Sequence, residues 1–220
     1  MTIFSKFVRA GFVAAGIALS VAVVAPVGYA AKSTSLTAED SADIDRISKY
    51  FNGFQTLAGE FVQVGPRGGI SKGTFFISKP GKLRFDYMQP NPFLIVSDGT
   101  WVAIQNRKNN RIDHYPLATT PLKLVLSKQV DLRKHARIIK VIRDGNSVLV
   151  TLADKNKAVP GKLTLIFDTD ANILKEWVVV DGENRRTTVS LNKLEEGGKF
   201  SPKLFVVKKR RNDDQQDASK

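Results

Sequence analysis

The chain of 220 residues contains no cysteine and only two histidines. Without cysteine there can be no disulfide bond, iron–sulfur cluster, thiolate zinc site, cysteine nucleophile or lipid attached through an N-terminal lipobox. His114 and His135 are interpreted as ordinary surface or strand-end side chains, because no Gly-x-Ser-x-Gly nucleophile motif accompanies them. We therefore expect a protein that is not an enzyme and that has no cofactor or metal.

Two segments look like ligand-binding loops but depart from the required pattern. The segment 168–172 begins like a calcium loop, but Ile173 stands where that loop needs its turn glycine. The glycine-rich segment 65–73 lacks the Gly-Lys-Ser/Thr order of a phosphate loop, and a strand pattern follows it instead of a helix. Both segments are interpreted as hairpin turns.

The N-terminal segment has the pattern of a secretory signal. Lys6 and Arg9 precede an apolar run from Ala10 to Ala25, and small residues at Gly28 and Ala30 follow it. The alternative is an uncleaved membrane anchor, but the run is shorter than the roughly 20 residues that span a bilayer. We therefore expect residues 1–30 to be a cleaved signal peptide and the mature chain to function outside the cytoplasm.

The formal net charge of +13 indicates anionic partners. An exported chain rarely meets nucleic acid, so acidic proteins or anionic membrane surfaces fit better, and we expect no nucleic-acid partner. Basic residues concentrate between Lys128 and Arg143, where only Asp131 opposes them, which indicates either a docking surface or a solvated face. Residues 208–220 are predicted to be a charged, disordered tail.

Near the mature N-terminus the sequence predicts an amphipathic helix. Thr37 or Ser41 can cap its first turn. Apolar residues then recur at spacings of three and four, which places them on one face of a helix. These residues are Ile44, Ile47, Phe51, Phe54 and Ala58.

After Leu57 the apolar period changes to two, which predicts antiparallel strands. The candidate strands are 60–64, 71–78, 82–88, 93–97, 101–105, 111–115, 137–143, 147–152, 162–167, 173–180 and 185–192. The pairs Asp98-Gly99, Asp144-Gly145 and Asp181-Gly182 lie between such runs and predict tight hairpins, because glycine adopts positive φ. About eleven sequential strands in one domain predict a barrel or a strongly bent sheet.

The segment 116–135 interrupts this pattern and predicts a second helix. Thr120 can cap it, and Pro121 suits its first position. Leu122, Val125 and Leu126 then share one face. The two helices are the natural covers for the concave face of the sheet.

Residues 73–99, reading GTFFISKPGKLRFDYMQPNPFLIVSDG, resemble the LolA family of periplasmic carriers of outer-membrane lipoproteins. Further landmarks agree with this resemblance along nearly the whole mature chain, residues 31–207. They are Phe61-Val62-Gln63 after the first helix, Tyr115-Pro116-Leu117 and Thr120-Pro121-Leu122 before the second, and Phe200-Ser201-Pro202 near the end.

The resemblance implies a mainly β fold: an unclosed, half-open antiparallel barrel of about eleven strands, with helices as a lid over an apolar cavity. It implies a monomeric periplasmic carrier that takes the acyl chains of lipoproteins from an inner-membrane Lol-type ABC transporter. The cargo then passes to an outer-membrane acceptor or to the outer membrane directly. Since the chain has no lipobox cysteine, it resembles the soluble carrier and not the lipid-anchored acceptor of the same fold.

The resemblance and the shared faces together suggest which residues contact acyl chains, although all of them could simply form the core. The candidates are Ile47, Phe51, Phe54, Leu83, Phe85, Leu122, Val125 and Leu126. Family members commonly have an arginine latch before the proline of the strand–turn segment, and here that position is Lys79. Lysine offers a point charge where arginine offers a planar fork. Arg84 is a second candidate for the latch.

Two other functions fit the same fold. One is a periplasmic sensor domain, as in regulators of envelope-stress signalling, which would be expected to carry a second domain. The other is a carrier of glycolipids or phospholipids, since methylene groups of any lipid present the same surface to an apolar wall.

Overall fold

A computed structural model describes residues 36–155 and 160–207. The predicted signal peptide (1–30) and charged tail (208–220) lie outside the described residues. No helix in the described part of the chain is long and apolar enough to cross a membrane.

The predicted first helix is present as α1 (Ala38–Gly53), but its predicted apolar stripe is too long, because Phe54 follows the last helical residue and Ala58 lies in the first strand. Of the two candidate caps, Thr37 is the one used. Its hydroxyl accepts from the Asp40 backbone N–H at 3.0 Å, and the Asp40 carboxylate accepts from the Thr37 N–H at 2.9 Å. This reciprocal pair satisfies two N–H groups that a helix start leaves without partners. The apolar stripe of α1 is buried, with Ile44 and Ile47 fully inaccessible.

All eleven predicted strands are present, most of them extended by one or a few residues. They are β1 (Thr56–Val64), β2 (Ile70–Ser78), β3 (Lys82–Tyr87), β4 (Phe93–Asp98), β5 (Trp101–Asn106), β6 (Arg111–Pro116), β7 (Ala136–Asp144), β8 (Ser147–Asp154), β9 (Lys162–Asp168), β10 (Ile173–Val180) and β11 (Arg186–Glu196). They form one antiparallel sheet in the order β6-β5-β4-β3-β2-β1-β11-β10-β9-β8-β7. Since β6 and β7 are the two ends of that order, the barrel is not closed. The predicted fold class is confirmed.

The three Asp-Gly hairpins are confirmed between β4 and β5, β7 and β8, and β10 and β11. Gly99 and Gly145 have φ of 107° and 55°. In the third turn the left-handed residue is instead Asn184, with φ of 61°. The calcium-like segment is also a hairpin turn, in which the Asp168 carboxylate accepts from the N–H groups of Asp170 and Ala171, each at 2.9 Å.

The prediction of one second helix over 116–135 is wrong. The segment forms a 3₁₀ turn at Leu117–Thr119 and two single helical turns, α2 (Lys123–Leu126) and α3 (Leu132–His135). Thr120 does not cap α2, because its hydroxyl donates back to the Leu117 carbonyl at 2.9 Å.

Hydrogen bonds to α1 explain why this segment is not one helix. Asn52 exchanges two hydrogen bonds of 2.8 Å with the backbone of Val130, and the Leu132 N–H donates to the Ser48 hydroxyl at 3.3 Å. These side chains satisfy backbone groups that a continuous helix would otherwise pair internally.

The main core lies between α1, the segment 117–135 and the inner face of the sheet. The ring of Phe61 packs against Gly73 in this core, because a Cβ at position 73 would lie only 2.6 Å from that ring. A second apolar cluster lies on the outer face, where the chain after Gly198 covers β2 to β4. It comprises Leu94, Val96 and Phe205, with Phe76, Phe200, Leu204 and Val207 packed against them.

Candidate functional site

An open apolar cavity of about 460 Å³ lies on the inner face of the curled sheet. Strands β3, β4 and β5 form one wall, β10 and β11 form the facing wall, and Pro121 and Leu122 lie at its edge. Alternate residues of each strand point inward, which places the apolar side chains on this face. The apolar lining comprises Leu83, Phe85, Tyr87, Ile95, Val102, Ile104, Trp177, Val179 and Val189.

The predicted acyl-chain residues fall into two groups. Leu83, Phe85 and Leu122 line the cavity. The other five are at most 4% exposed and belong to the same continuous apolar cluster. These five are Ile47, Phe51, Phe54, Val125 and Leu126. The structure therefore brings all eight into one apolar region, of which three border open space.

Sequence reasoning missed the facing wall of the cavity. Trp177 and Val179 alternate in β10, which is a signal that the sequence contains. That signal marks one face of a strand but does not say which other strand it faces. The curl that brings Trp177 within 5.8 Å of Phe85, measured between ring centroids, depends on the whole sheet.

The end of the barrel at the C-terminus of α1 is closed by aromatic side chains. The ring of Tyr50 makes edge-on contacts with Phe51, Phe54 and Phe167 at centroid distances of 5.5, 5.6 and 5.4 Å. Burial raises the pKa of the Tyr50 hydroxyl to about 12. We call this region, together with the turn 79–81, the closed end.

At the closed end, the turn between β2 and β3 donates hydrogen bonds to both α1 and α2. The Lys79 ammonium donates to the Phe51 carbonyl in the last turn of α1 and lies 5.5 Å from the centre of the Phe54 ring. The Gly81 N–H donates to the Leu126 carbonyl of α2 at 2.8 Å. Helix C-terminal carbonyls carry partial negative charge, so a cation is favoured there. Lys79 is only 7% exposed, and burial lowers the pKa of its ammonium group.

Arg84 lies on the opposite face of the sheet from Leu83 and Phe85. Its guanidinium pairs with Asp86 at 2.7 Å and donates to the Leu204 carbonyl at 3.1 Å. Burial raises the pKa of Asp86, but hydrogen bonds from Arg107 and Arg84 outweigh this effect and hold it below its usual value. Arg84 therefore fastens the C-terminal segment to the outer face and does not contact the helices that Lys79 holds, as a second latch residue would have to.

The basic cluster 128–143 is partly neutralised by α1. Arg143 pairs with Glu39, Asp40 and Asp43 at 3.1, 3.0 and 2.7 Å. Arg133 pairs with Asp45 at 2.9 Å. Lys128, Lys134, Arg137 and Lys140 have no carboxylate partner among the described residues.

No group of three or more histidine, aspartate or glutamate side chains within 36–155 and 160–207 is arranged to hold a metal ion. The lining of the cavity also contains polar groups, among them the Asp181–Arg185 ion pair at 2.7 Å. The Tyr87 hydroxyl donates to the Gln63 amide oxygen at 2.7 Å, and burial raises the pKa of Tyr87 to about 12. The chemistry that the cavity offers is therefore mainly apolar contact.

The chain matches one protein-family model and several known proteins. The family model for the outer membrane lipoprotein carrier protein LolA matches residues 52–208. An uncharacterized protein of Rickettsia prowazekii is 22% identical over 180 residues, which cover 82% of this chain and 83% of that protein. The outer-membrane lipoprotein carrier protein of Pseudomonas paraeruginosa is 28% identical over 174 residues, covering 72% of this chain and 80% of that protein.

Other matches are shorter or more distant. Three further carrier proteins match over only 33% to 38% of their own length. Among solved structures, a LolA superfamily protein from Nitrosomonas europaea has a TM-score of 0.42 at 6% identity, covering 74% of this chain and 97% of that chain.

Proposed function

This chain belongs to the LolA family of outer membrane lipoprotein carrier proteins, and we propose that it is a periplasmic carrier of lipoproteins. It takes lipoproteins that an ABC transporter releases from the inner membrane and delivers them to the outer membrane. The observation that carries this proposal is the open apolar cavity of about 460 Å³ between β3–β5 and β10–β11.

The energetics of acyl chains explain why such a cavity is useful. A lipoprotein with roughly 40 methylene groups in its chains would expose them to water at a cost of about 30 kcal/mol, at about 0.8 kcal/mol each. Free diffusion between membranes is therefore negligible. The carrier has to recover most of this free energy, yet bind weakly enough that the cargo leaves at its destination.

The five buried candidate residues suggest how the cavity adapts to its cargo. Cavities of roughly 300–1,000 Å³ hold one small ligand, and several acyl chains need more room. When α1 and the segment 117–135 lift as a lid, Phe51, Phe54 and Val125 become additional walls for the chains. Lys79, which donates to α1, and Gly81, which donates to α2, are the latch that this movement releases.

The four basic residues that have no carboxylate partner within the described part of the chain support a docking role. Lys128, Lys134, Arg137 and Lys140 form an exposed positive surface that attracts acidic surfaces of the transporter or of the outer-membrane acceptor. Charges of this kind raise encounter rates more than affinity. The proposed carrier works as a monomer, with one cargo molecule for each chain.

A two-step transfer experiment tests this function. The purified mature protein is incubated with inner-membrane vesicles that contain the transporter, ATP and a labelled lipoprotein, and the soluble fraction is then mixed with outer-membrane vesicles. We expect a soluble one-to-one complex and then transfer of the label. Release of phospholipid or glycolipid without lipoprotein would contradict the proposal and favour a different lipid carrier.

A further inference from the structure

A groove continues from the cavity towards the turn between β1 and β2. It has a volume of about 440 Å³ and shares four lining residues with the cavity, so the two spaces are adjacent. The shared residues are Gln63, Tyr87, Ile95 and Ile104. The turn 65–69 and the residues Ser71, Asn91 and Phe93 complete the groove. It lies at the end of β2 away from Lys79, which we call the open end.

The groove differs from the cavity in its polarity. Besides Gln63, which it shares with the cavity, its walls include Ser71, Asn91 and the glycine-rich turn. The Asn91 amide donates to the Ser71 hydroxyl at 2.8 Å. The Gln63 amide oxygen accepts from Tyr87, and its NH₂ group offers two further donors. Ile70, which is 68% exposed, supplies an apolar surface beside these groups.

We propose that this groove binds the extended stretch of polypeptide that follows the acylated residue of the cargo. The inference rests on the proposed function and specifies where the polar part of the same ligand lies. Peptide groups cannot enter an apolar cavity without losing their hydrogen bonds, at a cost of roughly 1–3 kcal/mol for each group. The groove offers them hydrogen-bond partners directly beside the cavity.

Two features favour the open end as the place where the polypeptide leaves the cavity. At the closed end, the aromatic rings around Tyr50 and the Lys79–Phe51 hydrogen bond occupy the alternative path. At the open end, Arg67 lies at the tip of the turn with no carboxylate partner among the described residues. Its charge favours acidic side chains in the bound peptide.

Gly69 allows a direct test of the groove. A Cβ at this position would meet no atom within 4 Å, and its φ is not in the left-handed region, so a side chain is tolerated there. Gly69→Trp fills the groove, whereas Gly69→Ala makes the same backbone change without the bulk and serves as the control. The two probes are a dipalmitoyl-glyceryl-cysteine peptide with four serines and a fluorescent analogue of free palmitate.

We expect Gly69→Trp to weaken binding of the lipopeptide about tenfold, the loss of one or two hydrogen bonds, and to leave palmitate binding unchanged. Gly69→Ala should bind both probes like the parent protein. Equal weakening for both probes, or for neither, would overturn the inference. If the parent protein binds neither probe, the proposed function itself fails, and the groove assignment fails with it.

A second variant does not depend on filling the groove. Arg67 is exposed, so Arg67→Glu should leave the fold intact. We expect it to weaken binding of a lipopeptide with four aspartates severalfold more than binding of the serine version. Identical effects on the two lipopeptides would contradict the placement of the peptide beside Arg67.

Discussion

The two ends of the barrel use similar residue types in opposite ways. At the closed end Tyr50, Phe51 and Phe54 are at most 8% exposed and pack on one another. At the open end Ile70 and Phe93 are 68% and 39% exposed beside a glycine-rich turn. Apolar side chains stabilise the fold only where they are removed from water. With the lid closed, the rings at the closed end therefore contribute to stability, whereas the open end presents apolar surface to water.

The largest expected effect tests whether the closed end contributes more to the free energy of unfolding than the open end does. Phe51→Ala should lower the free energy of unfolding by about 3–5 kcal/mol, since it leaves a cavity among buried aromatic rings. Phe93→Ala at the open end should lower it by less than about 1 kcal/mol, because Phe93 is already partly in water. Urea denaturation of both variants measures the difference. Equal losses would mean that the two ends do not differ in this way.

The second-largest expected effect is on the binding of fatty acid in the cavity. Ile104→Glu places a carboxylate in the cavity wall, and we expect the affinity for a fluorescent fatty acid to fall about thirtyfold, or about 2 kcal/mol. Gln105→Glu introduces the same group on the adjacent residue, which points to the outer face, and should bind normally. Fluorescence titration compares the two. Normal binding by a folded Ile104→Glu protein would place the ligand elsewhere.

The third test concerns Lys79, because its hydrogen bond to α1 has to break when the lid lifts from the closed end. Lys79→Leu removes the hydrogen bond to the Phe51 carbonyl, and we expect it to shift the lid equilibrium by about 1–2 kcal/mol. Cargo should still enter but transfer poorly to outer-membrane vesicles, whereas Lys79→Arg should retain closure. Lys82→Leu, at the start of β3, is the matched control. Identical transfer by all four proteins would remove the latch role.

The smallest effect concerns the first turn of α1. The hydrogen bond with the Thr37 backbone, followed by contacts with the Thr37 and Arg143 side chains, lowers the pKa of Asp40 below its usual 3.8. The ionised carboxylate therefore stabilises the fold above pH 3.8, and this contribution is lost as the pH falls through the lowered pKa. Asp40→Asn should cost about 0.5–1 kcal/mol at pH 7 and show a weaker loss of stability on acidification. Urea denaturation at pH 7 and pH 3 checks this, and unchanged acid sensitivity would contradict it.

The local elements were predictable because their signals are local. The change from a period of three and four to a period of two predicts a helix followed by a sheet, although the pattern places it after Leu57, whereas α1 ends at Gly53 and β1 begins at Thr56. Thr37 and the Asp-Gly pairs mark element boundaries through hydrogen bonds and backbone angles that involve only neighbouring residues. These features need no knowledge of tertiary contacts.

The remaining features depend on contacts between distant residues. The segment 117–135 has helical spacing, but Asn52 and Ser48 of α1 bind its backbone and divide it into short turns. The wall formed by Trp177 and Val179 becomes visible only once the curl of eleven strands is known. The alternation in β3 puts Arg84 on the face opposite Leu83 and Phe85, but its partner, the Leu204 carbonyl, is visible only in the folded chain.

Photocrosslinking shows directly whether the acyl chains of lipoproteins occupy the cavity in the cell envelope. A photoreactive phenylalanine analogue is introduced at Ile104 in the cavity or at Gln105 on the outer face, and crosslinked material is identified by mass spectrometry. We expect the analogue at position 104 to crosslink to the acyl chains of lipoproteins and the analogue at position 105 not to do so. Crosslinks from position 104 to phospholipids or glycolipids alone, or equal lipoprotein crosslinks from both positions, would contradict it.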